Sequence, residues 1–317
     1  MARAIHAPLK QRPEKPSRRE FLQFCTTVAT AIGLGPAFGP KVYEALAAAT
    51  RPPVIWLHFG ECTGCSEAIL RSTNPGLDDL ILNSVSLEYH ETLMAAAGAQ
   101  AETVLADALQ KYAGQFFCVV EGSIPTLNRG AYGSIGDSSM LSIAQQICPQ
   151  AAGIIAAGTC SSYGGLAAAA PNPTGAKGVA DALGANLNVP VINIPGCPPN
   201  PVSLVGTIAS YLLKGQMPPL DSFGRPLFAY GTRVHERCPY RDDDDRCLED
   251  MGCRGKQTYN NCPTVKFNEG VSWCVLAGHP CIGCSEPNFW DRMTPFYVER
   301  DDEEHGDDGH DSVSSPR

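Results

Sequence analysis

One stretch of this chain concentrates residues that could do chemistry. Between His235 and Cys284 lie seven of its 14 cysteines, in the pattern His235-x-x-Cys238, Cys247, Cys253, Cys262, Cys274 and Cys281-Ile-Gly-Cys284. Thiolate is a soft ligand, and such spacings suit zinc or iron–sulfur clusters. A disulfide framework in an exported protein is the competing reading of the same cysteines. Zinc could use the same residues, but several closed zinc sites would do no evident chemistry. Four more cysteines stand upstream, in Cys62-Thr63-Gly64-Cys65, Gly158-Thr159-Cys160 and Pro195-Gly196-Cys197-Pro198-Pro199. Cys62-x-x-Cys65 alone reads as a thioredoxin-like redox pair, which leaves Cys160 and Cys197 without a role.

The elements around these upstream cysteines supply the reason for them. Short runs rich in β-branched and aromatic residues predict strands over 54–57, 85–89, 116–120, 153–156 and 189–194. Helices are predicted over 66–70 and 91–112, from an N-cap at Asp137 towards Cys148, and from Asn200-Pro201 to Gly215. Alternation of strand and helix implies an α/β fold with a doubly wound parallel sheet. Ligands bind such sheets outside the carboxyl ends of the strands. Cys62, Cys65, Cys160 and Cys197 each follow a predicted strand end, so four thiols distant in sequence converge on one crevice. A nucleotide or flavin would fit the crevice on fold grounds, but no glycine-rich phosphate fingerprint follows the first strand. Cys118 and Cys148 read as buried free thiols.

A chain of 317 residues, 44% hydrophobic, can bury a large core. Its net charge of −9 gives a nucleic-acid role no electrostatic support. Much of the negative charge lies in two runs, 242–245 and 299–311, and the second reads as a disordered tail. No run of about 18 consecutive apolar residues is present, so no transmembrane anchor is expected in the mature chain. Near the start, Ser17-Arg18-Arg19-Glu20-Phe21-Leu22-Gln23 precedes a mildly apolar run over 24–38, and Ala47-Ala48-Ala49 offers small residues for cleavage. This resembles a twin-arginine signal, used for proteins exported already folded. It predicts a periplasmic protein and places residues 1–49, with Cys25, outside the fold. The remainder divides into 50–220, carrying the sheet, 221–300, poor in periodic apolar runs and dependent on bound clusters for part of its stability, and the tail 301–317.

Specific motifs add a family. Glu61-Cys62-Thr63-Gly64-Cys65-Ser66-Glu67, Val120-Glu121-Gly122-Ser123-Ile124-Pro125, Gly158-Thr159-Cys160 and Pro195-Gly196-Cys197-Pro198-Pro199-Asn200-Pro201 resemble the small subunit of a nickel–iron hydrogenase. So do Asn261-Cys262-Pro263, the run 278–287 from Gly278-His279-Pro280-Cys281 to Glu286-Pro287, and Phe289-Trp290-Asp291. The resemblance spans about 50–298. It implies a flavodoxin-like first domain, a cluster-binding second domain, and a hydrogenase whose nickel–iron centre lies on a separate large subunit. By that resemblance Cys62, Cys65, Cys160 and Cys197 hold a proximal [4Fe–4S] cluster, and His235, Cys238, Cys247 and Cys253 a distal one. Cys262, Cys281 and Cys284 match a medial cluster, [3Fe–4S] in most members. The complex is then a soluble periplasmic heterodimer that passes electrons to a partner such as a c-type cytochrome. The alternatives are a disulfide- or zinc-stabilised secreted binding protein and a quinone-reductase-like relay subunit, related through the first domain.

The sequence departs from most members at Cys274, where many carry proline. A fourth thiolate there would allow a medial [4Fe–4S] cluster, as in members resembling nickel–iron–selenium enzymes. Oxygen-tolerant members carry two extra cysteines at positions matching Gly64 and Gly165, which argues against their special proximal cluster here. The acidic run 242–245 lies between two of the distal ligands and could steer a basic redox partner. Glu61 precedes the first ligand, as a structural carboxylate bonded to nearby amides or as a proton relay.

Overall fold

The computed structural model describes residues 18–48, 51–71, 85–241, 243–268 and 270–298. Its centre is a five-stranded sheet of β1 (Pro53–His58), β2 (Ser86–His90), β3 (Phe117–Glu121), β4 (Gly153–Ala157) and β5 (Val191–Ile194). All pairings are parallel and the order is β2-β1-β3-β4-β5. That order reverses between β1 and β3, the point at which doubly wound sheets open a crevice. Every residue of β3 and β4 is buried, as expected of strands covered on both faces.

Side chains alternate between two cores. Ile55, Leu57, Cys118, Val120, Ile154 and Ala156 point to one face. There they meet α4 (Ala99–Tyr112), α5 (Met140–Ile147) and α7 (Val179–Leu183) through Leu105, Ala108, Ala144, Ile147 and Leu183. Val54, Trp56, Phe117, Val119, Ile155, Ile192 and Ile194 point to the other face, against α8 (Pro201–Lys214). The predicted start and stop of α8 are both present. The Asn200 side chain accepts from Val202 N at 2.9 Å, and Gly215 closes the helix at φ +64°.

Three expectations need correcting. First, the helix after residue 137 is capped by Ser139, whose Oγ accepts from Ser142 N at 3.1 Å. Asp137 lies instead in the turn between the antiparallel pairs Ser134–Ile135 and Ser138–Ser139. Second, α4 begins at Ala99, because the chain turns through 91–98 and Gly98 takes φ +56°. Third, residues 18–48 are packed into the molecule. Helices α1 (Arg18–Ala31) and α2 (Gly39–Ala48) bring Cys25, Val28, Ala29 and Val42, each 0% exposed, into the core beside α8. The reason is an apolar stripe at 25, 28, 29 and 32, spaced as one helical face. Residues 49–50, at the expected cleavage point, and the acidic tail 301–317 lie outside the described residues.

Beyond residue 221 regular structure is sparse, with short helical turns at Leu227–Tyr230, Cys262–Val265 and Phe289–Arg292. A small core of Val234, Trp273 and Val275 is packed by partly buried Cys238, Cys253, Cys262 and Cys281. Buried guanidinium groups bind this region together. Arg225 pairs with Asp221 (2.7 Å) and Glu286 (3.0 Å), and Glu286 also accepts from Tyr259 N at 2.6 Å. Arg254 donates to the carbonyls of Met293, Pro295 and Val298. Among the described residues no helix is long and apolar enough to cross a membrane.

Asn200 also donates through Nδ2 to Lys266 O, joining the cap of α8 to the second half. Replacing it with alanine removes a cap and one cross-link. Asn200→Ala should therefore lose about 2 kcal/mol in reversible unfolding, whereas Asn200→Ser should lose about half of that, because serine still caps.

Candidate metal centre

The four upstream cysteines meet at one end of the sheet. Cys62 lies in the loop after β1, and Cys65 in the first turn of α3 (Gly64–Leu70). Cys160 lies in α6 (Thr159–Tyr163), directly after β4, and Cys197 follows β5. Cys62 and Cys197 are exposed, while Cys65 and Cys160 are half-buried. Burial is the largest influence on Cys65 and drives its thiol far up, with Glu121, Cys160, Cys197 and Cys62 adding repulsion. Cys160 is pushed up to about 11 by burial and then by Cys197 and Cys62. Glycine keeps the sulfurs clear. A β-carbon at Gly158 would stand 2.5 Å from Cys65 Sγ, and one at Gly165 would stand 2.5 Å from Cys160 Sγ. Both glycines hold positive φ, +92° and +58°, so any other residue there is strained as well as crowded.

The downstream residues form two further sets. His235, Cys238, Cys247 and Cys253 line one recess, floored by Trp273 and Val275. Burial raises Cys253 and Cys238, and both also feel Cys247. In the other set burial drives Cys262 well above its ordinary value, followed by Cys284, Cys281 and Cys274. Cys284 is pushed up to about 12 by burial, with Cys274 and Cys197 contributing. Cys274 thus acts on both Cys262 and Cys284, and it also feels Cys253. Cys25, Cys118 and Cys148 are buried elsewhere in the core. None of the 14 cysteines is in a disulfide.

A tetrahedral zinc with Zn–S of about 2.3 Å draws its sulfurs to about 3.8 Å from one another. Among the described residues only His58, Glu61 and Glu121 bring three ligand atoms within 4.8 Å of one another. Buried thiols whose ionisation is opposed in this way by burial and by one another need a cationic core to become thiolates. Two polar orphans border the downstream sets: Trp273 Nε1 and the Asn261 amide are buried without partners. An N–H aimed at a cluster sulfur is one of the ways a protein sets cluster potential. The donor set and the clearance fit iron–sulfur clusters.

Polar residues at the strand ends back the first set, and cysteine spacing does not single them out. His58 and Glu121 each end an apolar strand and His90 ends the mixed strand β2, which is the one signal of them in the sequence. Glu121 is 1% exposed. It accepts from Cys65 N (2.9 Å), Ser66 N (3.2 Å), Ser66 Oγ (2.6 Å) and Trp56 Nε1 (3.2 Å). It is therefore the amide-bonded structural carboxylate expected at Glu61. Glu61 instead accepts from the Thr63 hydroxyl (3.2 Å) and meets His58 Nδ1 at 3.3 Å, while its Oε2 has no partner. His58 Nε2 contacts His90 Nδ1 at 3.3 Å. Burial, then His58, lowers His90 to about 3, so it is neutral at pH 7.

Hydrogen bonds join the three sets. Thr159, 2% exposed, accepts from Gly196 N at 2.9 Å and donates to Cys284 O. Its hydroxyl thus ties the backbone beside Cys160 and Cys197 to that of Cys284. Cys281 N donates to Cys253 Sγ at 3.3 Å, tying the second pair of sets. Thr159→Val keeps the shape but strands a buried N–H and a buried carbonyl, and should lower stability by about 2 kcal/mol. Thr159→Ser should recover most of it, with thermal unfolding of both variants as the check.

Comparison with known proteins agrees with this geometry. A family model described as NADH ubiquinone oxidoreductase, 20 Kd subunit, matches residues 62–211, and one for the C-terminal part of the NiFe/NiFeSe hydrogenase small subunit matches 230–297. The chain is 51% identical over 297 residues to a periplasmic [NiFe] hydrogenase small subunit of Nitratidesulfovibrio vulgaris, covering 89% of this chain and 93% of the relative. Identity is again 51% to the corresponding protein of Solidesulfovibrio fructosivorans, with 89% and 92% covered. The solved [NiFeSe] hydrogenase of Desulfovibrio vulgaris Hildenborough superposes with a TM-score of 0.74 at 40% identity, over 80% of this chain and 99% of that one. This chain belongs to the small-subunit family of the nickel–iron hydrogenases.

Proposed function

We propose that the chain is the electron-relay subunit of a periplasmic hydrogenase. It takes electrons from hydrogen oxidation at the nickel–iron site of a separate large subunit and delivers them to a redox partner such as a c-type cytochrome. Cys62, Cys65, Cys160 and Cys197 hold the proximal [4Fe–4S] cluster. His235, Cys238, Cys247 and Cys253 hold the distal [4Fe–4S] cluster. Cys262, Cys281 and Cys284 hold the medial cluster, with Cys274 as fourth ligand. When bound, such clusters take up and release single electrons at potentials set by cluster type, charge and hydrogen bonding. The observation that carries the reading is the convergence of cysteines from separate segments into common sets, in a chain whose relatives are hydrogenase small subunits.

The chain's own residues hold and tune. Glycines 158 and 165 leave room around the sulfurs, and Glu121 fixes the amides of Cys65 and Ser66. The neutral imidazole of a histidine ligand removes one negative charge compared with thiolate, which raises the potential at that end. Export as a folded protein through the paired arginines allows clusters to be inserted before translocation, and cleavage follows near residue 49. Glu61, with one carboxylate oxygen unpartnered beside His58, is suited to hold a proton at the edge of the proximal set.

Iron and acid-labile sulfide analysis with electron paramagnetic resonance on the purified heterodimer tests the assignment. A cluster-silent oxidised sample that gains [4Fe–4S] signals under hydrogen is expected. A sharp [3Fe–4S] signal in the oxidised sample would remove Cys274 from the ligand set, and absence of iron and of any signal would overturn the whole reading. Cys274→Pro should convert the medial cluster to [3Fe–4S] and raise its potential.

The acidic run is a docking aid for a basic partner. Asp243 is engaged by Arg246 through Nε at 2.6 Å, so the unneutralised charge rests on exposed Asp244 and Asp245; Asp242 lies outside the described residues. Replacing Asp244 and Asp245 by asparagine should slow reduction of a lysine-rich cytochrome several-fold at low ionic strength and little at high ionic strength. Equal rates for variant and parent at every salt concentration would exclude steering.

A further inference from the structure

Helix α1 is amphipathic in a way that a passive leader has no need to be. Its apolar stripe, Cys25, Val28, Ala29 and Ile32, is buried against the body. Its other flank, with Gln23, Thr26 and Thr27, faces a cleft of about 990 Å³. From α2, Val42 is buried in the same core. The receiving surface is shaped for this contact. Gly206 of α8 lets Ile32 in so closely that a β-carbon there would stand 3.3 Å from Ile32 Cγ2 and 3.2 Å from the Phe228 ring. Eight consecutive residues of α8, 203 to 210, are buried, and a helix buried round its whole circumference needs cover on its outer side as well as from the sheet.

The two faces of the sheet differ in how they are covered. One has α4, α5 and α7 from the body of the protein. The other has α8, and beyond it α1 and α2. A parallel sheet is stable only with both faces covered, so removing α1 and α2 bares the outer side of α8 and calls for another occupant. The position of α1 identifies that occupant. The same cleft is lined by Glu67 and by Gly64 and Pro198, the immediate chain neighbours of Cys65 and Cys197. A subunit that delivers electrons to the proximal set must approach this rim, where Cys62 and Cys197 are exposed, and there it meets α1.

We propose that α1 and α2 form an intramolecular cover over surface that the large subunit takes, so that docking of the large subunit lifts the leader off α8. This rests on the reading of the chain as a hydrogenase small subunit. In the free chain the paired arginines that open α1 belong to a docked helix. In the assembled pair they belong to a released segment.

Limited trypsin digestion of the full-length, iron-loaded chain, alone and co-purified with a nickel–iron hydrogenase large subunit, tests this. The readout is cleavage after Lys41, which lies within α2. Cleavage should accelerate about tenfold or more in the complex, because a docked helix resists proteolysis and a released one does not. The double variant Val28→Asp, Ile32→Asp should show the fast cleavage without any partner and should bind the large subunit about tenfold more readily, having no cover to displace. Equal protection of Lys41 in the free chain and the complex would overturn the proposal while leaving the hydrogenase reading intact. So would a released leader in the double variant with no gain in binding. Failure of both parent and variant, iron-loaded, to bind a large subunit would remove the reading itself, and the cover proposal with it.

Discussion

Four sulfur atoms that arrive on separate segments of chain and repel one another set the terms for the first half of the molecule. Among the described residues a backbone hydrogen bond at Leu166 eases the ionisation of Cys160 only in part. Burial opposes ionisation further, as the rise of Cys65 and Cys160 shows. The arrangement is tenable because rigid strands deliver the cysteine loops to a common edge. Glu121 anchors the amides of Cys65 and Ser66 from the end of β3, and glycine removes the side chains that would otherwise fill the space. The sheet order follows the same demand: β1, β3, β4 and β5 lie side by side, and the segments following three of these four strands carry the ligands.

The second half meets a related problem with fewer apolar residues. Its own core is three side chains and the flanks of cysteines. Cohesion comes instead from charge and hydrogen bonds: Arg225 between two carboxylates, Arg254 gathering three carbonyls, and Thr159 and Cys281 N linking one thiol set to the next. Each of these groups is satisfied, which is the condition under which buried polar networks make a structure definite rather than loose. The three sets are therefore parts of one hydrogen-bonded body, with their relative positions held by main-chain contacts.

Much of this is legible in the sequence where local physics decides. All five strands, the Asn200 cap with Pro201, the Gly215 stop and the convergence of Cys62, Cys65, Cys160 and Cys197 follow from periodicity and turn chemistry. The failures have physical causes. Asp137 is a good cap by type, but a hairpin turn claims it and leaves the cap to Ser139. Residues 91–98 contain helix formers, yet a turn and Gly98 delay the helix. Glu61 and Glu121 are both carboxylates at the ends of strand-like runs, and only the fold decides which one meets the amides of Cys65 and Ser66. Paired arginines mark the leader for removal, yet the stripe at 25, 28, 29 and 32 reads equally well as a packing face.

Gly64 and Gly165 stand against sulfurs of the same set, yet they are unequal as targets for redesign. At Gly64 the backbone is ordinary and an added β-carbon would sit 3.2 Å from Cys62 Sγ, a crowding that small adjustments relieve. At Gly165 the backbone is left-handed and the added atom would press within 2.5 Å of Cys160 Sγ. An engineer seeking to graft extra thiols onto this scaffold could make the first change by substitution alone, while the second asks for a rebuilt loop between α6 and the segment at Ala176–Lys177. Tolerance to oxidants, where it depends on both positions, is then a property of backbone path before it is one of residue identity.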